Sequence, residues 1–439
     1  MIFLRASKIQ SALDFVLFPV FVVAIRARCF KFAALVTALV TFRLNGKQDR
    51  RLLFFDRSIF RNDLEAMVQV SGQVQYLGVQ RKYFKKIMNL YLGRQSFSEV
   101  TYHHDSSLNQ SKEKLRETVH IVMDLLHKLL KFDGIISCNF GYPEQQELFE
   151  VAQQRGWPVI ILYKEGLLPR QQLDYLFQEY RKKILNCDLL LCYNDDLVRR
   201  FRRSGIPGVG RVDVVATGIP RLDPLKYVPP ADKSDQLVFF SFFLPDKVRY
   251  AALSASDRSE VESVAREFHE WVIRLALENP TISVVIKTKA APHYLDYVNN
   301  LVSQYLGPQR LAPNIRITNT ESPSKLIEES YLVLGSHSTV LLEGLLTGRV
   351  VGCPQFATWF EKENSFFPKD ISELARINEY QDLLTLVNQA RAQRLTSDRR
   401  LPAGVGELIA TTNFDASLKA EREIVKLLQS RSGRRLAAE

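Results

Sequence analysis

Cysteine is scarce and unpaired in this chain. The five in 439 residues (Cys29, Cys138, Cys187, Cys192, Cys353) are scattered, mostly inside apolar runs, with no CxxC. That excludes a disulfide or zinc framework and points to small buried hydrophobes in a reducing compartment. The seven histidines show no HExxH or similar ligand spacing, so no structural metal is expected. No apolar run approaches the ~20 residues of a transmembrane helix. A P-loop, a GxGxxG and a catalytic-triad spacing are also missing, which removes support for kinase, dehydrogenase and α/β-hydrolase readings. A metal-binding DxD is missing too: the nearest acidic groups, Asp195-Asp196 and Asp56, sit at a helix start and a strand end.

Apolar residues make up 46% of the chain, with 27 Phe and 16 Tyr. Such a chain builds real cores, and its length allows two or three domains. The net charge of +11 is unevenly placed: residues 1–51 hold nine Lys/Arg against two Asp. Two apolar stretches lie there, Phe15–Ile25 and Phe32–Phe42, separated by Arg26, Arg28 and Lys31. A secretory signal fits poorly, because Asp14 precedes the apolar run and the basic residues follow it. Basic flanks around short apolar segments suit a peripheral hold on an anionic membrane surface. The alternative is two buried helices packed on the main fold. Nucleic acid is not an expected partner, since the excess charge clusters with apolar segments and not with aromatic stacking platforms.

From residue 51 onward strands and helices alternate. Strands are expected at Arg51–Asp56, Val74–Leu77, Gly134–Cys138, Trp157–Tyr163, Asp188–Tyr193 and Val212–Ala216. Helices are expected at Asn62–Ser71, Ser111–Lys131, Tyr142–Arg155, Gln171–Leu185 and Asp195–Ser204. Residues 226–236 are polar and proline-bearing and read as a linker. A second run follows, with strands at Leu237–Phe243, Thr281–Lys287 and Ile315–Ile317. Its helices are Arg258–Glu278, Tyr294–Leu306, Ser324–Ser330 and Ile377–Arg394, then an amphipathic Ser417–Gln429 and a frayed tail, Arg431–Glu439. The expected layout is a basic, apolar segment at 1–50, a first α/β lobe at 51–225, the linker, a second lobe at 237–412, and a C-terminal helix and tail at 413–439. This is an α/β fold of two Rossmann-like lobes with parallel sheets and an N-terminal basic-apolar helical extension. Ligands are expected at the carboxyl ends of the strands, in the cleft between lobes.

Candidate functional residues sit at or just after those strand ends. Tyr331–Phe356 reads as strand, small-polar turn, helix and strand. The turn SHST delivers Ser336, Ser338 and Thr339 to a helix start, where hydroxyls stand beside unpaired N–H groups and form an anion site. His337 lies within the turn, and Glu343, followed by Gly344, is placed to reach a sugar hydroxyl. An ordinary βαβ unit with a Ser/Thr N-cap would show the same pattern. Lys287 and Lys289 end a strand and can neutralise a diphosphate, with His293 after them as a further donor. Ser241 is a weaker phosphate-loop candidate. Glu165, in Lys164-Glu165-Gly166, follows a strand and is placed to act as general base for an acceptor hydroxyl. Gly218, Pro220, Arg221 and Asp223 form a turn closing the first half. Arg221 is placed to meet a phosphate, and Asp223 to orient it or to cap the next element. Without a DxD, metal-independent chemistry fits best, with no cofactor and with helix termini and lysines stabilising a leaving phosphate.

TGIPRLD, the VVIK strand end and GSHST…EGLLTGRVV together resemble the GT-B superfamily. The branches they are most similar to are capsule polysaccharide synthesis proteins and CDP-glycerol glycerophosphotransferase-like enzymes. The UDP-N-acetylglucosamine 2-epimerase group is similar in fold and in its TGxP turn. The resemblance implies that Ser338 and Thr339 bind the donor phosphate and that Glu343 or its neighbours bind the nucleotide. Lys287 matches the lysine of a K-P-H-P stretch, but this chain reads KTKAAPH, so His293 lies later. Glu165 in KEG resembles the acidic-Gly motif of polysialyltransferase-like enzymes, whose carboxylate is the base. Glycerophosphotransferases carry His-Gly at that strand end and this chain does not, which favours sugar transfer and leans toward a CMP-activated donor. The implied protein is a cytoplasmic glycosyltransferase, peripheral at the inner membrane, that moves sugar from a nucleotide-sugar to an envelope polysaccharide or lipid-linked glycan acceptor. An epimerase, a polyol-phosphate transferase and a non-catalytic scaffold are the alternatives.

Overall fold

The computed structural model describes residues 2–93, 99, 101–229, 235–242, 254–307, 311–336, 338–355, 367, 371, 373–393 and 404–436. His337, Phe243, most of the expected linker and Arg394 lie outside the described residues. The chain divides into two compact units. The first is Met1–Gly166, Asp174–Asp223 and Ile409–Glu439; the second is Leu167–Leu173 and Pro224–Leu408.

In the first unit, α1 (Ile2–Arg26) and α2 (Phe30–Leu39) precede a seven-stranded sheet. Its strands are β1 (Phe42–Arg43), β2 (Arg50–Asp56), β3 (Val74–Gln80), β4 (Gly134–Ser137), β5 (Val159–Leu162), β6 (Leu189–Cys192) and β7 (Asp213–Ala216). They lie in the order β1-β3-β2-β4-β5-β6-β7. Only β1, paired with β3, runs antiparallel. Between the strands run α3 (Ser58–Val70), α4 (Arg81–Leu92), α5 (Thr101–His104), α6 (Asn109–Leu130), α7 (Pro143–Gln154), α8 (Arg170–Tyr180), which counts with this unit from Asp174 on, and α9 (Asp195–Arg203). β4, β5 and β6 are buried at every residue, which is why their sequences are unbroken apolar runs and not alternating ones.

The second unit holds β8 (Gln236–Phe240), β9 (Ser283–Lys287), β10 (Ile315–Thr318), β11 (Leu332–Gly335), β12 (Val350–Pro354) and β13 (Leu374–Ile377). All are parallel, in the order β10-β9-β8-β11-β12-β13. Its helices are α10 (Ala255–Glu278), α11 (Pro292–Leu306), α12 (Pro323–Glu328), α13 (Thr339–Leu346), α14 (Tyr380–Gln393) and the short α15 (Val405–Leu408). Phe239, Ile286 and Leu334 of the sheet pack with Phe268 and Val272 of α10 and Leu383 of α14 in one apolar core. The chain then returns to the first unit as α16 (Ala416–Leu436). Ala420, Ile424 and Leu428 of α16 join Leu52, Phe54 and Ile160 of the first sheet in a common core. Asp223 fixes the start of α16, accepting from the N–H groups of Ala416 (3.1 Å) and Ser417 (2.6 Å).

Several elements differ from the sequence reading. The expected tail is helical to Leu436, and Arg431 is ion-paired to Asp188 beside the start of β6. The helix expected from Gln171 to Leu185 ends at Tyr180, after which the Leu185 N–H donates to Pro207 O at 2.8 Å. The expected Ile377–Arg394 helix begins at Tyr380, as α14, because Ile377 ends the edge strand β13, which was not anticipated. Helix α4 was not anticipated; it follows β3 with no intervening turn. The first N-terminal apolar stretch lies in α1; the second forms most of α2 and runs on into β1, and over residues 12–39 the two helices are buried on one side only.

Candidate functional site

In the second unit the chain enters the sheet at β8, proceeds outward through β9 and β10, and returns on the other side of β8 as β11. That reversal is a topological switch point, the place where open α/β sheets hold ligands at strand carboxyl ends. Phe240 ends β8 opposite both Gly335 of β11 and Lys287 of β9. Ser241 and Ser336 are therefore the next residues on adjacent strands. Three sequence candidates thus converge on one sheet edge, with the N-cap of α13, Ser338, two residues beyond Ser336.

The polar groups at that edge have defined partners. The Ser241 N–H donates to Lys287 O at 2.9 Å, and its hydroxyl lies 2.9 Å from His269 Nε2. His269 Nδ1 sits 2.5 Å from Ala265 O, so Nδ1 carries the proton and Nε2 accepts from Ser241. Full burial lowers the His269 pKa to about 4, so the ring is neutral and polarises the hydroxyl without adding charge. The Lys287 ammonium donates to Thr288 O (2.6 Å) and Asn319 O (3.0 Å). Burial lowers its pKa. Two of its three N–H groups thus bind carbonyls, which fixes the cation at the sheet edge.

Ser338 occupies the N-cap of α13 in extended backbone (φ −144°, ψ 151°), and its side chain makes no capping bond. Its carbonyl accepts from Leu341 N–H at 3.0 Å. Among the described residues the N–H groups of Thr339 and Val340 have no acceptor, and the positive end of the helix dipole lies there as well. Glu343 is buried on the same helix at 8% exposure, and the following Gly344 brings α13 against the sheet. A Cβ at Gly344 would stand 2.9 Å from Val351 Cγ2. Lys289 and His293 lie beyond β9 and are exposed. Lys289 Nζ is 5.2 Å from the Tyr294 ring centroid, and the His293 ring is 4.0 Å from it. They belong to the loop and first turn of α11, not to the switch point itself.

In the first unit a second polar cluster sits at the ends of β5, β6 and β7. The Lys164 ammonium lies 2.5 Å from Asp63 Oδ2, with the carboxylate fully enclosed. Asp63 Oδ1 accepts from the Arg221 N–H at 3.1 Å, and the Arg221 guanidinium donates to Tyr193 OH at 2.9 Å. Lys164 is therefore committed to Asp63 on α3 and not to its neighbour Glu165. Burial lowers the Lys164 pKa and the Asp63 charge opposes that. Arg221 likewise has protein partners, and Asp223 caps α16. Gly218 takes φ +89°, and a Cβ there would meet Ala416 at 2.9 Å, so the turn Gly218-Ile219-Pro220 requires glycine at its head. Glu165, the third residue after β5, is exposed, and no partner for its carboxylate occurs among the described residues. Burial pushes the Cys138 thiol at the end of β4 up to about 11, so it is a packed hydrophobe and not a nucleophile.

Sequence reasoning missed Asp63 and His269. Both lie on apolar helix faces, Asp63 between Phe60, Leu64 and Met67, and His269 between Ala265, Phe268 and Val272. A single charged or titratable residue at a core-facing position is the signal that could have found them.

No protein-family profile and no curated protein matches the sequence. Solved structures do match. A protein from Listeria monocytogenes described as a UDP-N-acetylglucosamine 2-epimerase is 11% identical, with 88% of this chain and 98% of that one covered and a TM-score of 0.52. The UDP-GlcNAc 2-epimerase from Neisseria meningitidis, bound to UDP-GlcNAc, is 13% identical, with 86% and 100% covered and a TM-score of 0.49. Sucrose-phosphate synthase from Thermosynechococcus elongatus is 10% identical, with 89% and 99% covered and a TM-score of 0.41. At these identities the likeness is one of fold: two parallel-sheet α/β domains of the GT-B type.

Proposed function

We propose that this GT-B protein is a metal-independent glycosyltransferase that moves a sugar from a nucleotide-activated donor to an acceptor hydroxyl in surface-polysaccharide synthesis. The observation that carries the reading is the switch point of the second unit. There Ser241, the fixed cation of Lys287 and Ser336 adjoin the uncapped start of α13 with Ser338 and Thr339. Such a site suits a nucleotide phosphate, and Glu343 lies one turn further for the nucleotide or sugar. Lys289 and His293 would reach the phosphates only from the rim.

In this reading the Glu165 carboxylate takes the proton of the acceptor hydroxyl, whose oxygen forms the new bond to the anomeric carbon. The bond from that carbon to the donor phosphate oxygen breaks, and the electron pair leaves with the nucleotide. Lys287, Ser338, Thr339 and the α13 dipole stabilise the departing charge. A solved structure that shares this fold is described as a UDP-N-acetylglucosamine 2-epimerase, which is compatible with sugar-nucleotide chemistry. It also keeps an epimerase as the second reading, which needs a donor and no acceptor.

Saturation-transfer NMR with CMP, CDP, UDP and GDP in competition tests the donor site. One nucleotide is expected to bind selectively, and Ser338→Ala with Thr339→Ala to weaken it by about tenfold or more, the worth of a charge-assisted hydrogen bond. Glu165→Gln is expected to bind that nucleotide normally and to lose transfer. Full transfer by Glu165→Gln would remove Glu165 as the base. An isomer formed from the donor alone would favour the epimerase, and no binding of any nucleotide would defeat both readings.

A further inference from the structure

Helices α1 and α2 present an apolar side to the fold and a second apolar side to solvent. On the inner side Phe21, Ala24 and Ile25 of α1 are buried, as are Ala33, Ala34 and Val36 of α2. Asp14 faces inward too, ion-paired to Lys82 and accepting from Tyr83 OH at 2.9 Å on α4. On the outer side Phe15 is 82% exposed, Val16 63%, Val23 66%, Phe32 49% and Leu39 59%. In α1 these outward residues, with Pro19 and Val20, follow helical spacing. A helix packed on its own domain normally turns a polar face outward, and contiguous exposed apolar surface marks an interaction site.

Charge identifies the occupant. Arg26, Arg28 and Lys31 stand exposed at the corner between the two helices, and none is in an ion pair among the described residues. Asp14 is the sole acidic residue from Ala12 to Val40, and it is turned inward. The outer face is thus apolar with a cationic corner and no anionic group. No helix among the described residues is long and apolar enough to cross a membrane.

We infer that the outer face of α1 and α2 lies on an anionic lipid surface, with the apolar side chains in the headgroup region and Arg26, Arg28 and Lys31 on lipid phosphates. Apolar insertion supplies the hold and the cations select the charge of the surface. The inference stands independently of the nucleotide site.

Flotation of the full chain with vesicles tests it, comparing phosphatidylcholine alone with phosphatidylcholine mixed with phosphatidylglycerol. The protein is expected to float with the mixed vesicles and not with the neutral ones. Arg26→Ser, Arg28→Ser and Lys31→Ser together should cut the affinity on the order of a hundredfold, the effect of three surface cations. Phe15→Ser with Val23→Ser should abolish binding. All five positions are exposed, so circular dichroism is expected to stay unchanged and the loss to be one of contact. Absence of flotation, or flotation indifferent to both sets of substitutions, would overturn the inference. So would a concentration-dependent dimer in light scattering that Phe15→Ser with Val23→Ser disperses, because the face would then belong to a second copy of the chain.

Discussion

His269 is fully enclosed, donating from Nδ1 to Ala265 O and accepting at Nε2 from Ser241. Burial holds its pKa at about 4, against 6.5 for a free imidazole. Between those values the unfolded chain binds a proton that the native chain refuses. Stability is therefore complete above pH 6.5 and falls as pH drops toward 4. The gap corresponds to about 3 kcal/mol. His103, also held near 4 by burial, acts in the same direction. Urea unfolding at pH 7 and pH 4.5 should show this loss, and His269→Gln should show a smaller one. Apolar residues at 264, 265, 268 and 272 mark the core side of α10 in the sequence, and His269 shares that side. Its partner Ser241 arrives from a strand end 28 residues earlier, and helical spacing carries no information about such a meeting. Asp63 and Lys164 are the same case: their ion pair joins a helix to the end of a strand far off in sequence, and neither residue's own neighbourhood records the meeting.

Elements were more legible than contacts where burial was two-sided. β5, β6 and β11 are enclosed on both faces and appear as apolar runs between turn residues. β13 has half-exposed Ala375 and Arg376 between buried ends, so its four residues carry no such run, and Ile377 reads as the start of the helix after them. α4 has an apolar stripe at Tyr83, Phe84, Ile87 and Met88, but its direct continuation from β3 hides the boundary. The helix of the candidate donor site was legible in type and position, and the structure adds why its glycine matters. Gly344 packs on Val351 and Val333. Gly344→Val has no room there and should cost about 1–3 kcal/mol while displacing the start of α13. Urea titration and nucleotide-binding NMR on the same protein should register both effects.

At the scale of the whole molecule, the first unit depends on a helix that the sequence presents after the second. Glu421 of α16 accepts from Tyr76 OH (3.1 Å) and Gln73 N–H (3.0 Å), and Ile424 is fully buried among residues of the first sheet. Ile424→Ala should destabilise the first unit by about 2–4 kcal/mol. In calorimetry the transition of the first unit should move down and that of the second should stay. The two α/β halves were readable as alternation of strand and helix, and α16 as an amphipathic segment. The sheet that α16 covers was not, because an apolar stripe records that a helix is covered without recording by what.

That connectivity also orders events during synthesis. Ribosomes deliver the first sheet early, yet Ala420, Ile424 and Leu428, which complete its core, appear only after Pro224–Leu408 has been made. The nascent chain therefore carries Leu52, Phe54 and Ile160 packed against Phe60, Leu64 and Met67 of α3 but without their α16 partners, while the second unit is already long enough to close its own core. Such an interval exposes apolar surface to chaperones and to misassembly. Translation of residues 409–436 is the step that ends it.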